Sequence, residues 1–133
     1  MPHIHRIDSA RGPIGYVITG AESPSETTFI TDPEANLQVG YVVKAAGEDI
    51  ARHDHKKVER HIAGTAEVLV VREGSCEIEF YDEQRSFLEA TKVSAGDVVV
   101  MLAGGHGFKI LEDTVFLEVK QGPYPGLEEK DQF

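Results

Sequence analysis

The fold class follows from residues 67–81, which read EVLVVREGSCEIEFY. Residues 67–73 are rich in β-branched side chains and predict a strand. From residue 76 to 81, apolar and acidic side chains alternate, which is the period of a strand with one buried face. The Glu73-Gly74-Ser75 sequence between the two runs predicts a tight hairpin turn. The stretch therefore predicts antiparallel strands that bury one side.

Similar runs, separated by turns rich in glycine and polar residues, lie on both sides of this stretch. They span residues 38–45, 87–93, 98–102, 106–111 and 114–121. The only helical candidate, residues 55–62, is short and lacks an apolar stripe. About eight to ten short strands with short connections predict an all-β sandwich or barrel with antiparallel pairing.

Length and charge limit the domain count and the classes of partner. A chain of 133 residues fits one domain, with N-terminal strands in 1–37, a barrel in about 38–121 and a tail in 122–133. The chain has 23 acidic and 13 basic residues, a net charge of −10. An acidic surface repels phosphate groups, so nucleic acid and anionic membranes are not expected as partners. A small-molecule ligand or substrate is expected instead.

Features of exported proteins are missing from the sequence. No apolar run is long enough to span a bilayer, and the first residues lack the apolar stretch of a signal peptide. Cys76 is the only cysteine, which excludes an internal disulfide, and we expect it to be a buried small hydrophobe. The expected location is the cytoplasm.

Two histidines, His53 and His55, have the spacing of residues that share one face of a strand. Both imidazoles would then converge on one ion, and imidazole nitrogen is the commonest protein ligand for transition metals at neutral pH. The alternative is a pair of solvated surface histidines. The spacing alone predicts a metal-binding pair without excluding that alternative.

Two further residues are candidate ligands because of the strands that they begin. His106 follows two glycines and shares its predicted face with Phe108 and Ile110, so it is either a ligand or a hydrogen-bonded core histidine. Glu67 precedes four apolar residues, and a carboxylate in that position is costly unless it is paired or coordinated. The alternative for Glu67 is an edge position where the carboxylate reaches water.

The spacing of these residues resembles the two motifs of the cupin family. The first motif, G-x5-H-x-H-x(3,4)-E-x6-G, corresponds to Gly47, His53, His55, Glu67 and Gly74. Eleven residues, rather than three or four, separate the second histidine from the glutamate.

The second cupin motif is G-x5-P-x-G-x2-H-x3-N. It corresponds to Gly96, Gly104 and His106, with Leu102 in the place of proline and Ile110 in the place of asparagine. The histidine comes one residue early. The resemblance covers about residues 38–121, most of the chain.

This resemblance implies a cupin jelly-roll β-barrel whose interior binds a divalent transition metal. The implied ligands are His53, His55, Glu67 and His106. A set of nitrogen and oxygen donors suits Fe, Mn, Ni or Zn, and it leaves coordination positions open. The expected function is a small metalloenzyme of the dioxygenase or isomerase type. Alternatives are a non-catalytic cupin that binds a sugar or organic acid, and a metal that is only structural.

Other residues have candidate roles around the ion. His61 would substitute as a ligand, Arg60 would bind an anionic substrate through its guanidinium group, and Gln38 and Phe108 would line the pocket. The plainer alternatives are a solvated loop histidine, a surface salt bridge and simple packing.

The resemblance to cupins also implies a homodimer. Residues 1–20 contain four apolar side chains that would either exchange strands with a partner or close the barrel of their own subunit: Ile4, Ile7, Ile14 and Val17.

Overall fold

Short β-strands make up the ordered framework of the chain. A computed structural model describes residues 2–126 and 129–133, and within them there are ten strands and no α-helix. The strands are β1 (His3–Ser9), β2 (Gly12–Thr19), β3 (Thr28–Phe29), β4 (Gly40–Tyr41), β5 (Glu67–Glu73), β6 (Ser75–Tyr81), β7 (Phe87–Ser94), β8 (Val98–Met101), β9 (Gly105–Ile110) and β10 (Val115–Lys120). The prediction of an all-β chain is confirmed. No helix in the described ranges could cross a bilayer.

Two sheets carry eight of these strands, and every strand pair is antiparallel. One sheet has five strands in the order β1-β2-β8-β5-β10, and the other has three in the order β7-β6-β9. The short strands β3 and β4 form a separate pair. The chain therefore passes directly between the two larger sheets at four connections: β5 to β6, β7 to β8, β8 to β9 and β9 to β10.

The larger apolar cluster lies between the inner faces of the two sheets, and a smaller one around Tyr16, Ile18 and Val100 lies on the other face of the five-stranded sheet. Cys76, Ile78 and Phe80 of β6 are at most 1% exposed, which confirms the predicted alternation and the buried cysteine. They belong to one apolar cluster with side chains of the five-stranded sheet: Ile7, Ile14, Val17, Leu69, Val71, Val99 and Met101. The N-terminal strands thus contribute to the core of their own subunit.

The predicted hairpin at residues 73–75 is wrong. Because β5 and β6 belong to different sheets, the turn at Gly74 leads the chain across the sandwich instead of reversing it within a sheet. Gly74 has a φ of 85°, and a Cβ there would overlap the carbonyl oxygen of Asp113. Only glycine fits this crossing turn.

One side of the sandwich is open, and the sheets do not close into the predicted barrel. In the part of the chain that the structure describes, no strand pairs with the free edge of β9 or of β10. The register places Phe108 opposite Ile78 and Ile110 opposite Cys76, so both side chains share the inner face. Even so, Phe108 is 38% and Ile110 is 56% exposed. We call this uncovered stretch of inner face between β9 and β10 the open side.

A predicted strand forms only in part. Of residues 38–45, only Gly40 and Tyr41 are in a strand, and residues 44–64 are irregular and exposed throughout. We call residues 44–64 the arm. The chain is held on either side of the arm, because the Val43 N–H donates to Thr27 Oγ1 at 2.9 Å and the Ala66 N–H donates to Gln121 Oε1 at 2.8 Å. The arm is thus a long loop, and the chain on each side of it is hydrogen-bonded to the rest of the protein.

Candidate functional site

A cleft of about 770 Å³ lies at one end of the open side. Residues 129–133 form one wall of it, and the ends of β5, β6 and β9 contribute to the rest. Its lining includes Glu67, Glu79, Tyr81, Arg85, Gly105, His106, Lys130 and Phe133. The cleft therefore combines acidic, basic and aromatic groups next to two of the four predicted ligands.

Glu67 and His106 meet in this cleft although they belong to different sheets. Glu67 begins β5 and His106 is the second residue of β9. The Nε2 atom of His106 lies 3.7 Å from Oε2 of Glu67, and the side chains are 27% and 12% exposed. A separation of 3.7 Å is too long for a hydrogen bond. Two polar groups are thus brought together and largely removed from water without a direct bond between them.

Burial shifts the protonation of both groups toward the neutral form. It lowers the pKa of the His106 imidazole, and Lys130 lowers it further. Burial also raises the pKa of the Glu67 carboxyl, and the charge of Glu118 adds to that effect while Lys120 opposes it. His106 is therefore held with a free nitrogen lone pair, and the charged form of Glu67 lacks the solvation that it has in water.

Replacing Glu67 with glutamine is expected to stabilise the metal-free protein at pH 7. A raised pKa in the folded state means that Glu67 adds stability below its usual pKa of 4.5, and that this stability is lost as the pH rises through the folded value. Glutamine mimics the protonated form at every pH. With chelator present, thermal melts should give the variant a Tm a few degrees higher at pH 7 and a shrinking difference toward pH 4. A lower Tm for the variant at pH 7 would mean that nearby lysines stabilise the carboxylate.

The other predicted ligands lie on the arm. His53 and His55 are exposed, with their ring centroids 5.3 Å apart, and His53 Nδ1 is 2.7 Å from the carbonyl oxygen of Ala51. Arg60 and His61 lie on the same exposed segment. Across residues 2–126 and 129–133, no group of three or more His, Cys, Asp or Glu side chains is arranged to hold an ion. The structure thus assembles two of the four predicted ligands and leaves the other two on the arm.

The two predicted pocket residues have different surroundings. The ring of Phe108 lies 5.8 Å from that of His106 and 5.6 Å from that of Phe116, so it flanks the candidate site. Phe108 is nevertheless not among the residues that line the cleft, and neither is Gln38. Its Nε2 donates to the carbonyl oxygens of Asp32 and Ala35 at 2.9 and 3.0 Å, which stabilises the turn before β4.

Three groups that the structure places in the cleft, Tyr81, Arg85 and Phe133, were not predicted from the sequence. Tyr81 donates its hydroxyl to Glu79 Oε2 at 2.7 Å, a bond that raises the pKa of the phenol. The ring centroid of Phe133 lies 5.1 Å from that of Tyr81, and the guanidinium carbon of Arg85 lies 4.9 Å from the Phe133 centroid. Residues 79 and 81 read as the outward half of an alternating strand, and the tail has no periodic pattern. A fold-back of the tail is a tertiary contact that such local patterns do not encode.

No known protein family, curated protein or solved structure matched the chain. The geometry of the cleft alone describes the site: a largely buried His–Glu pair faces a cavity lined by cationic and phenolic groups.

Proposed function

We propose that the protein is a cupin-type, metal-binding domain that holds a divalent transition metal in the cleft and binds a small polar molecule there. The observation that carries the proposal is the Glu67–His106 pair, 3.7 Å apart and mostly buried at the cleft. The arm histidines His53 and His55 complete the set. The proposed ion is Fe, Mn, Ni or Zn, because the donors are nitrogen and oxygen without sulfur.

The chemistry of the pair fits a metal better than it fits a salt bridge. A metal needs the deprotonated imidazole that burial already favours at His106. Two ligands that share an ion at about 2.1 Å lie roughly 3–3.5 Å from each other. The observed 3.7 Å between Nε2 and Oε2 is close to that separation. A divalent cation would also compensate the buried charge of Glu67, which no hydrogen bond from His106 does.

The cleft supports a role in binding over a purely structural ion. A structural metal is enclosed by protein ligands, whereas this pair faces a cavity of about 770 Å³, which is within the range of small-molecule sites. A bound ion would supply a Lewis acid to the ligand. Arg85 and Lys130 line the cavity as cations for an anionic group such as a carboxylate. The Tyr81 hydroxyl, held by Glu79, is a hydrogen-bonding group for a polar ligand.

Metal titration tests the proposal directly. Metal-stripped wild-type protein, titrated with Mn²⁺, Ni²⁺, Zn²⁺ or anaerobic Fe²⁺, is expected to bind one ion per chain. The double variant His53→Ala with His106→Ala should lose this binding and keep its far-UV CD spectrum. The control is His3→Ala with His5→Ala, which likewise removes two histidines, both from β1 and outside the cleft. Stoichiometric metal in the first double variant would refute the site.

Turnover separates the two versions of this function. Oxygen consumption with Fe(II) restored, screened against small hydroxy acids and sugars, is expected if the site is a dioxygenase. Ligand binding without consumption of oxygen or change of the ligand would assign the protein to the non-catalytic binders.

A further inference from the structure

We propose that the metal site is shared between two copies of the chain, with the arm of one protomer covering the open side of its partner. His53 and His55 of one protomer would then meet Glu67 and His106 of the other. This inference rests on the proposed metal-binding function, and it adds that a single chain is an incomplete site.

The open side has the properties of a surface that is covered in the working protein. Phe108 and Ile110 point inward by register, toward the layer that contains Ile78 and Cys76, yet they are 38% and 56% exposed. Among the described residues, no strand pairs with the backbone groups at the free edges of β9 and β10, and such edges are templates for an added strand. One added segment on the open side would therefore cover Phe108 and Ile110 and also pair with a free strand edge.

The arm also has apolar side chains that are exposed in the single chain. Ile50, Val58 and Ile62 on the arm are 61%, 60% and 43% exposed. The hydrogen bonds that the structure gives within it join residues at most three positions apart, such as Glu48 N–H to the carbonyl oxygen of Ala45 at 3.2 Å. Loops of this length without structure of their own are uncommon in a compact domain, where they are either functional or linker segments. The arm therefore has apolar side chains and backbone groups available for a partner.

Charge favours the docking of the arm on another copy of this chain. The arm holds five of the thirteen Lys and Arg residues and only four of the 23 Asp and Glu residues. It is slightly basic, and the remainder of the chain is strongly acidic. Two acidic bodies repel each other, and a basic arm that reaches the acidic lining around Glu67, Glu79 and Asp82 offsets that repulsion.

A twofold dimer would cover both the arm and the open side. In the single chain the arm stands exposed while the open side of the same chain stays bare. Reciprocal exchange around a twofold axis would bury two arms and two open sides with one kind of contact. It would also deliver the histidine pair to the cleft from outside the subunit.

Mixed dimers provide the decisive measurement. One variant carries His53→Ala and His55→Ala, and the other carries Glu67→Gln and His106→Ala, so neither chain alone has a complete site. The two are co-expressed with different tags, and the doubly tagged dimer is titrated with Zn²⁺. A shared site predicts that each variant alone loses metal, whereas the mixed dimer regains one ion per dimer, half the wild-type content. No regain in a mixed dimer, with metal bound by the wild type, would place all four ligands within one chain and overturn the proposal.

The mass of the metal-free protein separates this inference from the function on which it rests. Light scattering is expected to show a dimer for the wild type and a monomer for Ile110→Asp. The matched control is Phe29→Asp, since Phe29 is also 56% exposed but lies on β3. A monomeric wild type overturns the docking. A dimer that Ile110→Asp dissociates but that binds no metal overturns the metal function and the shared site, and leaves only the docked arm.

Discussion

Replacing His106 with alanine is expected to weaken divalent-metal binding by more than about 100-fold. Mutating a residue that only hydrogen-bonds a metal ligand typically lowers metal affinity about 10–100-fold, and removing a ligand itself should cost more. The imidazole contributes the donor that burial keeps neutral, and it lies 3.7 Å from the carboxylate of Glu67. The side chain fills a place at the edge of the core and is 27% exposed, so the fold should survive. Competition with a chromogenic chelator measures the affinity, and far-UV CD checks the structure.

The chain contains a matched control for this variant. His5 Nε2 lies 2.6 Å from Oε1 of Glu89, which makes a second His–Glu pair outside the cleft. His5→Ala is expected to leave the metal affinity unchanged. An equal loss in both variants would indicate a nonspecific effect of removing histidines, and an unchanged affinity in His106→Ala would remove this residue from the ligand set.

Replacing Gly74 with alanine is expected to lower the free energy of unfolding by about 3 kcal/mol or more. A left-handed φ of 85° costs a non-glycine residue about 1–3 kcal/mol, and overlap of the new Cβ with the Asp113 carbonyl oxygen adds a similar amount. The neighbourhood is tied together by Thr114, whose hydroxyl is 3.1 Å from the carbonyl oxygen of Ser75. Relief of the overlap would therefore disturb the turn before β10. Urea unfolding monitored by CD measures the loss.

A substitution at Gly96 separates the cost of the left-handed backbone from the cost of the steric overlap. Its φ is 96°, similar to that of Gly74, but a Cβ at Gly96 would have no atom within 4 Å. Gly96→Ala should therefore show only the backbone cost of about 1–2 kcal/mol. If both variants lose the same stability, the chain around Asp113 moves aside and the crowding at Gly74 is unimportant.

Local patterns predicted the strands well where each strand has a buried inner face. The range 67–73 matches β5 residue for residue, and the alternation from Cys76 to Phe80 identified three core side chains. The pairing of those strands was not predictable in the same way. A glycine turn between two strands serves equally for a hairpin and for a change of sheet, and the choice depends on distant strands such as β8 and β10.

The candidate site was predictable to the same limited extent. Glu67 and His106 stood out because each begins a strand with an apolar face, and the structure brings them together. The convergence of His53 and His55 was predicted from strand geometry, but the arm on which they lie forms no strand in the single chain. A run of β-branched residues indicates that a segment can form a strand. Whether the strand forms depends on a sheet edge with which the segment can pair.

The strand order of the five-stranded sheet also determines when this protein can fold during its synthesis. The hairpin of β1 and β2 joins the sheet only through β8, and β5 lies between β8 and β10. A ribosome must therefore release almost the whole chain before the first strands find their neighbours, and pairings between distant segments form slowly. Throughout that interval Ile7, Ile14 and Val17 have no core to enter. The apolar side of the β1–β2 hairpin is consequently exposed for longer during synthesis than in a fold built only from local hairpins.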